Sequence, residues 1–400
     1  MWFEMRIKFI NFLRTHRIIL VFFNFVLRVF FKIISLFVRV NKKRIVFSSF
    51  GGRKYDDSPK SIYLEMISRK EFSDYEFIWC FVNPKEFNIE GCKKVKIDSF
   101  KFFLTLLSSK IWVSNTGMDR NLGLMRKNTI RIETWHGTPL KKICEEENSK
   151  TKQTKRKKIK IDSRTIRCAQ SNYDLEIFSR VFHADKKCFV LSDLPRNDQL
   201  VKGISKNDIL IIKQKLSIDL NKKVILYMPT YREFLIDDSY NIYIDIPVHF
   251  DKWKNELGDK YVLLFRSHYA INKYLKIKND DFIIDVSNYE SLNELYLISD
   301  IMISDYSSSF FDYSILNRPM FCFAYDLEEY KEKRGLYIDL HELPCKIDTS
   351  ENDLLLDIKN IDYDSMSKLT EEFHKKYAPF AGNSSKKVVD EILCRISTKK

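Results

Sequence analysis

Glycine and proline are scarce in this 400-residue chain, at 10 and 9 residues. That scarcity excludes collagen-like and low-complexity architectures. Cysteine is present (8 residues) but never spaced C-x-x-C, so zinc ribbons and dithiol redox motifs are not expected. Scattered cysteines fit reduced thiols in a cytosolic setting. Zinc-finger spacing, RNP-like aromatic stretches and basic-region heptads are all missing, which leaves nucleic acid a weak choice of partner. No small-residue cleavage site follows the apolar N-terminal run, so a cleavable signal peptide is not expected.

What is present is a globular composition, 44% hydrophobic and 30% charged, at a length for which two domains are the default. The formal charge of +14 calls for anionic partners: phosphorylated substrates, a membrane surface or nucleic acid. Basic residues concentrate at Asn41-Lys42-Lys43-Arg44 and in "KTKQTKRKKIK" (150–160), a polar run poor in aromatics. Such a run suits phosphates or lipid headgroups better than base stacking. The segment "RIILVFFNFVLRVFFKIISLFVRV" (17–40) is strongly apolar, yet Arg28 and Lys32 interrupt it before the roughly 20 residues that a spanning helix needs. At about 100° per residue, Arg17, Asn24, Arg28, Lys32, Ser35 and Arg39 share one arc of a helix. A wide apolar face with a cationic stripe predicts a helix lying in the interface of an anionic membrane. Packing on the protein's own core and a tilted spanning helix are the alternatives.

Beyond Arg44 the texture alternates between short apolar strands and amphipathic helices. "RIVFSSFGG", "YEFIWCFV", "IWVSN" and "IRIETWHG" read as strands, with "SPKSIYLEMISRK" and "FKFFLTLLSSK" as helices between them. A second series starts near residue 205, with strands "KVILYMPT", "YVLLFRSH", "FIIDV", "IMISD" and "PMFCFAY". "KNDILIIKQKL", "SLNELYLIS" and "SSSFFDYSIL" supply its helices. Two such alternations predict two parallel α/β sheets, each Rossmann-like.

The candidate chemistry lies where these strands end. "WHGTPLKK" (135–142) places His136 on a turn shaped by Gly137 and Pro139, with Thr138, Lys141 and Lys142 following. A histidine there suits proton transfer near neutral pH, though a hydrogen bond within its own turn is the blander account. "YMPTYRE" ends in Thr230 and Arg232, and "FRSH" in Arg266 and His268. Two residues apart on a strand, Arg266 and His268 share a face. Asp305, Ser307 and Ser308 open a helix whose unpaired N–H groups and hydroxyls suit a phosphate; an ordinary serine cap is the simpler alternative. Asp312 and Asp326 are expected to be structural, being too far apart in sequence for a metal site.

Taken in order, "WHGTPLKK", "PRNDQL", "YMPTYRE", "FRSH", "SDYSSSFFDY", "NRPMFCFAYDLEEYKEKRGLYID" and "AGNSSKKVVDEI" form a series. It closely resembles the CDP-glycerol glycerophosphotransferase family, which includes teichoic acid primases and polymerases. The resemblance covers residues 45 to 395. Asp193 departs from it, standing where the family often has glycine. The resemblance implies a GT-B fold: two Rossmann-like domains facing across a cleft, behind an N-terminal amphipathic membrane helix. The divisions expected are 1–44 for the helix and its basic flank, 45–200 for an acceptor domain and 201–400 for a donor domain. It implies transfer of glycerol phosphate, or a related polyol phosphate, from CDP-glycerol or CDP-ribitol to a lipid-linked (polyprenyl diphosphate) saccharide, with release of CMP. His136 would be the base. His268 and Arg266 would stabilise the pyrophosphate, Ser307 and Ser308 cradle it, and Asp305 orient the turn. Thr230 and Arg232 would add phosphate contacts. The acceptor side would take Gly137, Thr138, Lys141 and Lys142. No bound cofactor is implied, the CDP-polyol being a substrate, and the expected location is the cytoplasmic face of the membrane, peripherally held. A glycosyltransferase using a nucleotide sugar, and a non-catalytic basic membrane-binding protein, remain the competing readings. No residue encodes the choice between glycerol and ribitol, or between primase and polymerase.

Overall fold

The computed structural model describes residues 17–148, 164–230, 232, 247–267 and 277–397. His268 and the basic run 150–160 lie outside the described residues. By their contacts the residues group into two compact units. The first holds Met1–Trp135, Arg164–Arg167 and Ile392–Lys400; the second holds His136–Ser163 and Cys168–Glu391.

The first sheet has seven strands: β1 (Asn41–Ser48), β2 (Glu76–Phe81), β3 (Lys93–Lys96), β4 (Ser109–Ser114), β5 (Ile130–Glu133), β6 (Thr165–Ala169) and β7 (Phe189–Leu191). Their order is β3-β2-β1-β4-β5-β6-β7. β1 runs parallel to both neighbours, with Val46 level with Ile78 on one side and Trp112 on the other. Strands so flanked carry apolar side chains on both faces, which is why "RIVF" and "FIWCF" are near-continuous hydrophobic runs. On one face Phe47 stacks on Trp79 (5.2 Å) and Trp79 on Phe81 (5.6 Å). Burying aromatic rings of this size supplies the bulk of such a core's stability.

Helix α1 (Arg17–Phe37) is held by one stripe. Phe31 is buried against Phe103 of helix α2 (Phe100–Ser108), their rings 4.6 Å apart, and Leu27, Ile34 and Val38 pack on the same cluster. Spacings of four and three residues put Leu27, Phe31 and Ile34 on a single helical face, and Val38 follows directly after the helix. Arg28 Nη2 donates to the Asn121 carbonyl oxygen (2.5 Å). The remaining surface is uncovered: Ile18, Phe22, Phe25, Leu36 and Phe37 are exposed, as is Phe100 of α2. Core packing therefore accounts for one stripe of the helix and leaves a broad apolar face unaccounted for. By length and composition the segment Ile18–Phe37 is also apolar enough to cross a bilayer.

The second sheet has six strands: β8 (Lys223–Tyr227), β9 (Tyr261–Phe265), β10 (Ile283–Asp285), β11 (Ile301–Ser304), β12 (Met320–Phe323) and β13 (Ile347–Asp348). They lie in the order β10-β9-β8-β11-β12-β13, each pair parallel. The order reverses between β8 and β11. In open parallel sheets the crevice beyond that reversal is where ligands bind.

The two sheets are separated by residues 192–222, whereas the compact units divide elsewhere. Residues 136–148 follow β5, yet group with the second unit. Hydrogen bonds explain it: Lys142 N donates to Gly335 O (3.0 Å) and Tyr337 N to Leu140 O (2.9 Å). Segment 192–198 is tied to the same unit. Asp198 accepts from the backbone N–H groups of Ser384 (2.7 Å) and Ser385 (2.8 Å), joining the "PRND" and "GNSS" motifs.

Candidate active site

The turn carrying His136 is built from two backbone exceptions. Trp135 adopts a φ of 60° and Gly137 a φ of 154°. A positive φ costs a tryptophan on the order of 1–3 kcal/mol, a strain that functional turns commonly hold. A Cβ at residue 137 would overlap Ser308 Oγ and stand 2.8 Å from Ser308 Cβ. Only glycine admits this approach, so the chain beside His136 lies directly against the start of the helix Ser309–Ser314. His136 itself is exposed.

Arg196 clamps the turn. Its Nη1 donates to the His136 carbonyl oxygen (3.0 Å) and its Nη2 to Asp312 Oδ2 (2.5 Å). Asn197 Nδ2 donates to Asp312 Oδ1 (2.9 Å) and to Asp193 Oδ1 (3.1 Å). Asp312 is buried, and its structural part is to hold this clamp. Asp193, the departure from the family pattern, has a φ of 66°. An aspartate thus occupies the left-handed conformation that glycine usually fills, and aspartate tolerates it better than most side chains. Its Oδ1 caps Leu194 N (2.6 Å) and accepts from Gln170 Nε2. Burial pushes its carboxyl up to about 8. Asp174, also enclosed, is pushed up to about 7 by burial.

Thr138 is not open to an acceptor. It is fully buried, its Oγ1 bonded to Gln170 and Asp174 (3.0 Å), and it anchors the turn from below. Lys141 forms an antiparallel bridge with Leu336, and Lys142 Nζ donates to Asn148 Oδ1 (3.3 Å).

At the β8/β11 reversal, Asp305 accepts from Thr230 N (2.9 Å), from Tyr306 N (2.7 Å) and from Arg232 Nη1 (2.8 Å). Arg232 also grips Asp326 with Nε (2.7 Å) and Nη2 (2.9 Å) and donates to Thr230 O (2.6 Å). Tyr306, Tyr325 and Tyr330 surround its guanidinium at 4.9–5.2 Å. With 5% of its surface exposed, Arg232 is an internal strut. The expectation that it contacts a substrate phosphate is corrected: two carboxylates and a carbonyl oxygen take four of its five N–H groups. Asp305 orients the loop through three donors. Thr230 Oγ1 is buried with no hydrogen-bond partner among the described residues.

Ser307 Oγ accepts from Ser309 N (3.1 Å) and is hydrogen-bonded to Ser309 Oγ (2.8 Å), a turn just ahead of the helix rather than an N-cap. Ser308 makes no such cap. Arg266, at the end of β9, is fixed by Nη1 bonds to Val286 O (3.0 Å) and Tyr289 O (2.8 Å). Gly137, Ser308, Arg196 and Asp312 therefore converge; Thr138 anchors the histidine turn, and Arg232 holds Asp305. Sequence reasoning assigned no part to Arg196 or Asn197. Their signal was the "PRND" motif, whose arginine and asparagine reach across to a helix more than a hundred residues away. Among the described residues no three His, Cys, Asp or Glu side chains gather as metal ligands would.

Comparison with known proteins follows the same line. The family model described as CDP-Glycerol:Poly(glycerophosphate) glycerophosphotransferase matches residues 30–394. A teichoic acid poly(glycerol phosphate) polymerase of Staphylococcus epidermidis is 38% identical over 355 residues, 85% of this chain but 48% of that protein. Its counterpart in Bacillus spizizenii is 34% identical over 380 residues, covering 91% of this chain and 95% of the relative. The chain thus spans about half of one relative and nearly all of the other. A solved structure of the wall teichoic acid polymerase TagF, a histidine-to-asparagine variant soaked with CDPG, superposes with a TM-score of 0.82 at 34% identity, covering 93% of each chain.

Proposed function

Because the chain belongs to the CDP-glycerol:poly(glycerophosphate) glycerophosphotransferase family, we propose that it transfers glycerol phosphate, or a related polyol phosphate, from CDP-glycerol to a lipid-linked acceptor. The polymer is a teichoic acid or a similar phosphopolymer. An acceptor hydroxyl attacks the phosphorus that bears glycerol. A new P–O bond forms, the bond from that phosphorus to the bridging oxygen breaks, and CMP leaves with the electron pair. His136 takes the hydroxyl proton, the work of a general base. Positioning and charge stabilisation supply most of the remaining catalysis in phosphoryl-type transfer.

The observation that carries this reading is the approach of Gly137 to Ser308. It sets the histidine's turn against the serine-rich loop at the β8/β11 reversal, where parallel sheets bind ligands. Ser307, Ser308 and Arg266 donate to the pyrophosphate, and His268 shares that task. Lys141 and Lys142 meet phosphates of the acceptor. The exposed apolar face of α1 lies in the cytoplasmic leaflet, held there by the basic residues beside it. No step draws on a bound cofactor.

The deciding experiment incubates the full chain with a defined polyprenyl diphosphate saccharide and CDP-glycerol, CDP-ribitol or a UDP-sugar. CMP release with products heavier by glycerol-phosphate units is expected. UDP release with sugar added to the acceptor contradicts the reading.

A further inference from the structure

The first unit has its own strand-end cavity. Its sheet reverses order between β1 and β4, and beyond that reversal lies a cavity of about 450 Å³. Phe50, Gly51 and Arg53 after β1 line it, with Val82 after β2, Lys96 and Asp98 from the end of β3, and Thr116 and Arg120 after β4. Four separate strand ends therefore converge on one space, of a size usual for small-molecule sites.

The walls are braced. Phe50 N donates to Asn115 Oδ1 (2.8 Å), Gly51 N to Thr116 Oγ1 (3.2 Å) and Val82 N to Gly52 O (2.7 Å). Gly52, with a φ of 84°, lets the loop after β1 press on β2; a Cβ there would stand 3.0 Å from Cys80 O. Arg53 Nη1 is tied to Phe50 O (2.9 Å). Arg120 holds Asp98 through two bonds, at 2.8 and 3.1 Å. Arg53, Lys96 and Arg120 thus face one carboxylate, so the cavity keeps an excess of positive charge. Phe50, Val82 and Ile97 give it apolar wall. An anion attached to a small carbon skeleton fits both properties.

We propose that this cavity binds the phosphate ester of a polyol, with Arg53 and Lys96 on the phosphate and Phe50 and Val82 against the carbon chain. Resting on the transferase reading, the ester is the polyol-phosphate end of the acceptor. A phospholipid headgroup presents the same chemistry, and a source for it is close: Arg120 borders Asn121, the residue whose carbonyl Arg28 of α1 grips. The acceptor is favoured because the cavity recedes between strand ends, whereas headgroup contacts need only surface cations.

The test is a titration of the full chain with glycerol 3-phosphate followed by phosphorus NMR, alongside sedimentation with phosphatidylglycerol vesicles. Both are repeated on Arg53→Ala/Lys96→Ala, whose side chains are exposed. The ester affinity should fall about ten- to a hundredfold, the usual loss for a hydrogen bond to a charged group. In transfer assays the KM for acceptor should rise while kcat and the KM for donor hold. Unchanged ester affinity overturns the proposal. So does a loss confined to vesicles, which assigns the cavity to a headgroup. If the wild type releases no CMP from CDP-glycerol, the transferase reading falls, and the ester titration still decides what the cavity binds.

Discussion

Both sheets reverse their strand order beside their first strand, and both place arginine just beyond the reversal. In the second unit that arginine, Arg232, is locked between Asp305 and Asp326 under three tyrosine rings. In the first, Arg53 and Lys96 are exposed on a cavity whose lining holds one carboxylate. Equal positions in a fold, and equal residue types, thus carry opposite roles. The difference is burial. A guanidinium taken from water must find carboxylates and becomes part of the frame, whereas an exposed one keeps water at its surface that an anion can displace.

The largest effect that separates these two roles is on stability. Arg232→Met leaves two enclosed carboxylates without their counter-charge and should cost about 3–5 kcal/mol, read as a drop in the denaturation midpoint. Arg53→Ala should move that midpoint by less than about 0.5 kcal/mol. Equal losses from both variants would erase the contrast.

A smaller effect concerns Asp193. Burial raises its carboxyl to about 8 in the folded chain, while in the unfolded chain it ionises near the ordinary value of about 4. Between those values the folded state keeps a proton that the unfolded state has shed. Stability therefore falls as pH climbs through that window and levels off above it. Asp174, raised to about 7, adds to the slope. Asp193→Asn keeps the oxygen that accepts three hydrogen bonds and tolerates the same backbone. Denaturation midpoints at pH 5 and pH 8 should draw closer together in the variant than in the wild type. An unaltered slope would show that Asp193 is ionised in the folded protein.

The central strands were legible because parallel strands buried on both faces announce themselves as apolar runs. β3 was not, since "KKVK" buries Val95 alone. β6 hid for another reason: it carries Arg167, a charge that strand patterning would place in water. There it pairs with Glu133 on the adjacent strand, and neither residue signals the other in sequence. The histidine turn could be read from its glycine and proline. What glycine makes room for could not, because Ser308 is far along the chain. The same distance hid the Arg196 clamp. Arg232 was misread as a phosphate contact because its partners, Asp305 and Asp326, arrive from two other strand ends. Charge is visible in a sequence; neutralisation is a tertiary fact.

The account turns on His136 as the group that removes the acceptor's proton. The most direct measurement determines kcat and CDP-glycerol affinity together in the wild type and in His136→Ala. A base acts in the transition state, so kcat should fall about 10²–10⁴-fold while donor affinity stays as it was. A variant that retains kcat, or that loses donor affinity instead, would contradict the account.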